Sequence, residues 1–508
     1  MHSRIQILKN VFYYSSSAYA SQIIGLISTI WVARILGPDE FGIWNAVMLV
    51  LGYAAYTELG VLSVMGRDLP LNLGQGDMKK AAAVESSARY TTIFGALLAA
   101  VILFIFSFFG NHSTKMSIGL QAVSMVIILQ QIYTYHRIHL RSYNRIKELS
   151  QQQVLFSIVT AFTALLFVVF GGLEGRLFAA ILAHVLILIY AIKRDPWKPV
   201  LKFDLAVTWS LMRVGIPIIV CGLIITMLTS IDRLMIITFL GEKQLGYVGL
   251  GVMVVSVVSI VPAMAIQVLV PQINFLYGNS GMNVETLRSY VLNPPAVLSL
   301  LLPLIIGPIF LLLPYCVHSF LPEFIPGIKA ARIVTLGAFF YGILGMTDTF
   351  LVTLGKLKQY AIFGFSILIF NIVLDYIFIK MGFGIEGVSI GGTLVTYFLY
   401  STIVIGYALS HYSKVLNIWV KYFLRLWSPF LYMVVALCLI EFGVNYFLSL
   451  QFQAETLLSV CSKLFLYLIC CFPLIYLAIK ELKIDLFAMT LTNLRSQDSI
   501  KKDYKNGH

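Results

Sequence analysis

The chain has 508 residues, 59% of them hydrophobic and 12% charged, with a mean hydropathy of +0.88. A soluble globular chain is about 45–50% apolar and about 25% charged, so this composition excludes a string of soluble domains and requires a polytopic membrane protein. The net charge of +13 would point to nucleic acid on a soluble protein; here the basic residues sit in short loops, where positive-inside topology accounts for them, and no nucleic-acid partner is expected.

A spanning helix needs about 20 mostly apolar residues. In chain order that rule marks about fourteen spans, near residues 11–35, 41–65, 90–109, 117–136, 154–171, 177–192, 214–238, 245–270, 290–313, 330–354, 360–380, 388–410, 428–448 and 456–479. With the N-terminus in the cytoplasm, most of the 36 Lys and Arg fall inside, while Asp39, Glu40, Glu174, Glu386 and Glu455 mark outward turns. The expected fold is therefore an all-α polytopic membrane protein with both termini cytoplasmic. Its parts are an N-terminal six-helix bundle (1–192), a basic cytoplasmic linker (193–213), a C-terminal six-helix bundle (214–410), two additional transmembrane helices (411–480) and a cytoplasmic tail (481–508). The apolar run 11–14 ahead of Ala18-Tyr19-Ala20 is too short for a cleaved leader, so the first helix is expected to stay as an anchor. The six cysteines have no metal-ligand spacing and read as small buried hydrophobes. Neither a metal nor a cofactor is expected, and without a phosphate-binding Gly-x-x-x-x-Gly-Lys-Ser/Thr loop ATP is not expected as the direct energy source.

Residues 34–44, Arg-Ile-Leu-Gly-Pro-Asp-Glu-Phe-Gly-Ile-Trp, place turn chemistry between the first two spans and predict a tight hairpin. The stretch recurs 204 positions later. Leu36, Gly37 and Gly42 fall on Leu240, Gly241 and Gly246, Gly74 on Gly278 and Met78 on Met282, in one gap-free register. This is an internal duplication of the parallel kind, with both copies in the same orientation.

The sequence from Arg34 to Gly42, following a first helix that carries Ser and Gln, resembles the start of bacterial oligosaccharide flippases of the multidrug/oligosaccharidyl-lipid/polysaccharide exporter superfamily. Gly215-Ile216-Pro217 through Asp232-Arg233 and Phe239-Leu240-Gly241 resembles the same family's seventh helix. The resemblance implies transport of a polyprenyl-diphosphate-linked oligosaccharide across a bacterial inner membrane for surface polysaccharides such as O-antigen, lipopolysaccharide or capsule. It implies no bond cleavage, hence no enzyme, and polysaccharide polymerase machinery as a possible partner. Two other classes stay open: a cation-coupled multidrug antiporter of the same superfamily, and a membrane-bound polysaccharide polymerase or ligase.

Charges at mid-membrane are costly and face a cavity or a partner. An anionic diphosphate needs cations, and Arg offers two-pronged phosphate geometry. Arg34, Arg67, Arg213 and Arg233 come from spans that flank the junction of the halves in this family's fold, and are the candidate substrate contacts. Gln22 and Tyr19 join them from a stripe with Ser15 and Thr29 at helical spacing, for which helix–helix contact is the plain alternative. Glu58, Asp232, Asp348 and Asp375 are the candidates for coupling to H⁺ or Na⁺; a salt bridge between Asp232 and Arg233 or to a neighbouring helix remains open. Glu441 and Lys463, in the last two spans, are expected to pair with each other.

Overall fold

The computed structural model describes residues 2–109, 112–195, 203–279, 284–412, 415–448 and 457–481, and no strand occurs among them. The linker residues 196–202, Met282, the tail from 482 and the Asp348 side chain lie outside the described residues. Seventeen α-helices follow in order: α1 (His2–Tyr53), α2 (Val61–Gly74), α3 (Met78–Phe109), α4 (Thr114–Ser142), α5 (Ile146–Arg194), α6 (Leu205–Leu228), α7 (Ile231–Phe239), α8 (Glu242–Val258), α9 (Ile260–Asn279), α10 (Arg288–Leu301), α11 (Pro303–Phe320), α12 (Ile328–Thr353), α13 (Leu357–Lys380), α14 (Gly384–Val388), α15 (Thr396–Ser410), α16 (Leu416–Leu448) and α17 (Leu457–Cys470). Within hydrocarbon only a helix satisfies each backbone N–H and C=O inside its own segment, which is why the apolar runs take this form. Polar side chains start several of them. Ser113 accepts from Met116 N at 3.2 Å to cap α4, and Asp204 accepts from Ala206 N at 2.9 Å and Val207 N at 3.2 Å to cap α6.

Among the described residues, eleven helical stretches are long and apolar enough to cross a membrane, twelve with the bent pair Leu457–Cys470 and Phe472–Glu481, against the fourteen spans expected. This is a multi-pass membrane protein. The eleven include two helices too long for one crossing. α1 has 52 residues, about 78 Å at 1.5 Å per residue, against a hydrocarbon core of about 30 Å. It breaks at Gly37 (φ 66°, ψ 176°), and α5 breaks likewise at Gly172 (φ 51°, ψ −130°). The expected hairpin at residues 37–40 is thus a kink made by a single non-helical residue. Pro38 is tolerated beside it because a first-turn residue has no intrahelical N–H bond to lose.

The chain forms two compact units. The first contains Met1–Met253, Val317–Ala331 and Leu357–Gly392; the second contains Val254–Cys316, Arg332–Lys356 and Thr393–His508. In the first unit, Val61, Leu62, Met65 and Leu69 of α2 are buried against Ala88 of α3 and Tyr135 of α4. The two duplicated turns meet in this unit. A Cβ on Gly42 would lie 1.8 Å from the Glu242 carbonyl oxygen, and one on Gly246 would lie 1.9 Å from that of Pro38. The two contacts are related by the same shift of 204 positions that relates the copies, so each turn makes on the other the contact it receives. That reciprocity is what a two-fold relation between the copies produces.

In the second unit, Phe339, Phe340, Trp427 and Phe430 form an aromatic cluster joining α12 to α16. Tyr467 of α17 lies against Gly307 and donates to Pro303 O at 2.8 Å, docking α17 on α11. The expected Glu441–Lys463 pair does not form. Glu441 of α16 instead accepts from Arg332 Nη2 of α12 at 2.5 Å, with the guanidinium 4.6 Å above the Phe310 ring. Lys463 is 2% exposed on the inward face of α17.

Candidate functional site

The second copy of the duplicated helix differs from the first by a break. α6 ends at Leu228, Thr229 and Ser230 interrupt the path, and α7 restarts at Ile231. The break places Asp232 in the first turn of α7, beside α13 and the π-helical turn Ser389–Val395. Asn371 Nδ2 of α13 donates to Asp232 Oδ1 at 2.8 Å. One turn further along α13, the wholly buried Asp375 presents its carboxyl to that of Asp232. Gly391 and Gly392 let the neighbouring turn close over both acids: a Cβ would lie 2.9 Å from Asp375 Oδ1 and 2.2 Å from the Asp232 carboxyl.

Three elements, α7, α13 and the turn Ser389–Val395, thus converge on an oxygen-rich point. Among the described residues, neither oxygen of Asp375 has a hydrogen-bond donor, nor does Asn371 Oδ1. Two facing carboxylates repel when both are ionised, so such a point is suited to a proton on one of them or to a small cation shared by both. Of the ion candidates read from sequence, the fold brings Asp232 and Asp375 together. Asn371 and the two glycines were not foreseen. The only sequence signal for Asn371 is its place four residues before Asp375, on the same helix face. Glu58 lies elsewhere: it is buried, and its Oε2 accepts from Leu62 N at 2.9 Å, so it caps the start of α2. Among the described residues no three His, Cys, Asp or Glu side chains gather as a metal site.

The candidate substrate residues do not converge in the same way. Arg34 is exposed near the end of the first limb of α1, its guanidinium 6.0 Å from the exposed Trp31 ring. Arg213 is exposed on α6. Arg67 is exposed and ion-paired with its neighbour Asp68 at 2.7 Å, which holds its guanidinium above the ordinary value. Arg233 is half-buried and donates to Thr229 O at 3.4 Å across the helix break, and its charge also acts on Asp232. Gln22 is exposed and Tyr19 half-buried on α1.

A second polar assembly joins α3, α4 and α5. Glu85 lies 3.3 Å from Arg89 Nη2, 3.1 Å from His139 Nδ1, and accepts from the hydroxyls of Tyr135 and Tyr143 at 3.2 and 3.1 Å. His139 leads on to Asp195 at 3.5 Å, and Asp195 to Arg145 at 2.8 Å. Burial and the Glu85 carboxylate push the Tyr143 phenol up to about 12. The assembly ties the ends of three helices through ion pairs and hydrogen bonds. In the second unit, Phe340, Phe398, Trp419, Phe423 and Trp427 line an apolar cavity of about 710 Å³, unsuited to a sugar but suited to hydrocarbon.

The fold has known counterparts. An inward-facing multidrug resistance MATE family transporter of the MOP superfamily superposes with a TM-score of 0.64 at 18% identity, over 77% of this chain and 94% of that one. The lipid II flippase MurJ, in an inward closed conformation, superposes with a TM-score of 0.64 at 15% identity, over 92% of this chain and 99% of MurJ. A MOP superfamily transporter from Pyrococcus furiosus, described as having a binding pocket of reversed polarity, reaches 0.51 at 17% identity, over 79% and 95% of the two chains. These likenesses establish the fold. No curated protein matches the sequence. A family described as polysaccharide biosynthesis protein matches residues 7–275, more than half of the chain, and the chain therefore belongs to that family, on the fold of the MOP superfamily transporters.

Proposed function

We propose that this protein is a flippase that carries a polyprenyl-diphosphate-linked oligosaccharide repeat unit from the cytoplasmic to the outer leaflet of a bacterial inner membrane, coupled to H⁺ or Na⁺. The observation that carries the reading is membership of a polysaccharide family on a transporter fold. The solved flippase among its structural counterparts handles lipid II by its own description, which supports a lipid-linked cargo. The facing carboxylates of Asp232 and Asp375 support ion coupling, because binding one proton or one cation there changes the charge of a point enclosed by three helical elements. Arg34 and Arg213 are exposed and serve the proposal as first contacts for the diphosphate, with Arg67 and Arg233 as secondary ones. In this reading both termini are cytoplasmic, residues 1–192 and 214–410 are duplicated bundles, and residues 411–480 are additions to them.

The test is complementation. Cells lacking a flippase for a defined repeat unit are given this protein, and surface polymer is measured beside the sidedness of the lipid-linked intermediate. Restored polymer, with the intermediate reaching the outer leaflet, supports the reading. An intermediate that stays on the cytoplasmic side at matched protein levels, across repeat units of differing charge, overturns it.

A further inference from the structure

One arginine outside the candidates above has a setting that a structural role does not account for. Glu40 begins the second limb of α1, and both its oxygens are engaged: Oε2 accepts from Leu173 N at 2.9 Å, just past the Gly172 kink of α5, and Oε1 meets Lys115 Nζ at 2.5 Å. This clamp fixes the second limb of α5 against the second limb of α1. One turn along each helix from the clamp, Arg176 lies over Trp44, its guanidinium carbon 3.8 Å from the ring centroid. Trp44 is 8% exposed. Arg176 Nε and Nη1 are buried and have no hydrogen-bond acceptor among the described residues. Each of these two nitrogens shares one edge of the guanidinium fork with Nη2.

A buried donor left unpaired is costly, and more so when charged. The Trp44 face satisfies the charge in part but accepts nothing along the N–H bonds, which lie in the guanidinium plane. With Glu40 consumed by the clamp, the acceptor that fits is an incoming planar or tetrahedral oxyanion, taken edge-on. We propose that Arg176, seated on Trp44 and positioned by Glu40, is an oxyanion-binding subsite of the first unit, taking a phosphate or carboxylate group of the cargo. As a cargo contact it rests on the proposed function; as an oxyanion site it does not. Two sources share this chemistry: the diphosphate linkage of the carrier lipid and the carboxylate of an acidic sugar.

The full chain is purified into lipid nanodiscs with Trp31, Trp197, Trp209, Trp419 and Trp427 changed to Phe, so that Trp44 alone of the six tryptophans reports. Inorganic diphosphate and glucuronate are titrated at constant ionic strength, with chloride as the control. The expected result is a saturable change in Trp44 emission with at least one oxyanion and none with chloride. Arg176→Lys, which keeps the charge and loses the fork, weakens it by about tenfold, and Arg176→Gln abolishes it. A response to diphosphate alone assigns the lipid linkage; a response to glucuronate alone assigns an acidic sugar. No saturable response to either, or equal titrations in native and Arg176→Lys protein, overturns the proposal. The lysine variant decides if the glutamine variant does not elute as a single species. Oxyanion binding without complementation would sink only the proposed function, and complementation with an unresponsive Trp44 would sink only this subsite.

Discussion

The two copies of the duplicated turn are alike where they touch and unlike where they lead. Gly37 and Gly241 both have positive φ, 66° and 92°, and Gly42 and Gly246 press on each other's turns through the same contact. Behind the first turn, α1 is helical from His2 up to Gly37. Behind the second, the corresponding helix breaks at Thr229–Ser230 and turns Asp232 towards Asn371 and Asp375. The position corresponding to Asp232 in the first copy is Ser28, a neutral residue on an unbroken helix. Duplication supplied a shared scaffold at the turns, and departure from symmetry in one copy supplied the acidic point.

The largest effect is expected where the copies are alike. Gly42→Ala and Gly246→Ala each force a Cβ into backbone that a side-chain rotation cannot relieve, so each should cost more than about 3 kcal/mol. Both should lose most monodisperse protein on size exclusion, and to a similar degree; one tolerated and one lethal variant would break the reciprocity. Where the copies differ, Asp375→Asn should reduce transport by at least about tenfold and remove its dependence on the coupling ion, while thermal stability holds or rises because carboxylate repulsion is relieved. Ser28→Asp in the first copy should not create a second ion dependence, since no partner carboxylate awaits it; a new dependence would show that the break is dispensable.

Smaller effects test packing away from the turns. Glu441→Gln leaves the partly buried Arg332 with a neutral partner and should lower stability by about 1–3 kcal/mol, read as a fall in melting temperature that Lys463→Met does not reproduce. The smallest change is expected at Asp77, which caps the start of α3 by accepting from Lys80 N at 3.0 Å. That bond holds its carboxyl below the ordinary 3.8, so the cap stabilises fully above that value and fades as pH falls through the lowered one. Asp77→Ala should therefore lower the melting temperature slightly at pH 7 and progressively less as the pH is brought below 3.8.

Periodicity, turn residues and charge counting read the membrane class, the helical fold and the turns at Gly37 and Gly241 directly from the chain, because each depends on residues close in sequence. They also marked Asp232 and Asp375 as out of place in hydrocarbon. They did not join them. Which way a transmembrane helix faces is weakly encoded when residues on both faces are apolar, lipid being as apolar as a neighbouring helix. Only the packing of α7 on α13 brought Asn371 to Asp232, 139 positions away. The same physics reassigned Glu441 from Lys463 to Arg332, turned Glu58 into a helix cap, and laid Arg176 on Trp44. Arg176, which falls between the expected spans 154–171 and 177–192, drew no attention in sequence because what marks it is the lack of an acceptor for two buried nitrogens among the described residues, and burial is a property of the assembled helices rather than of any one of them.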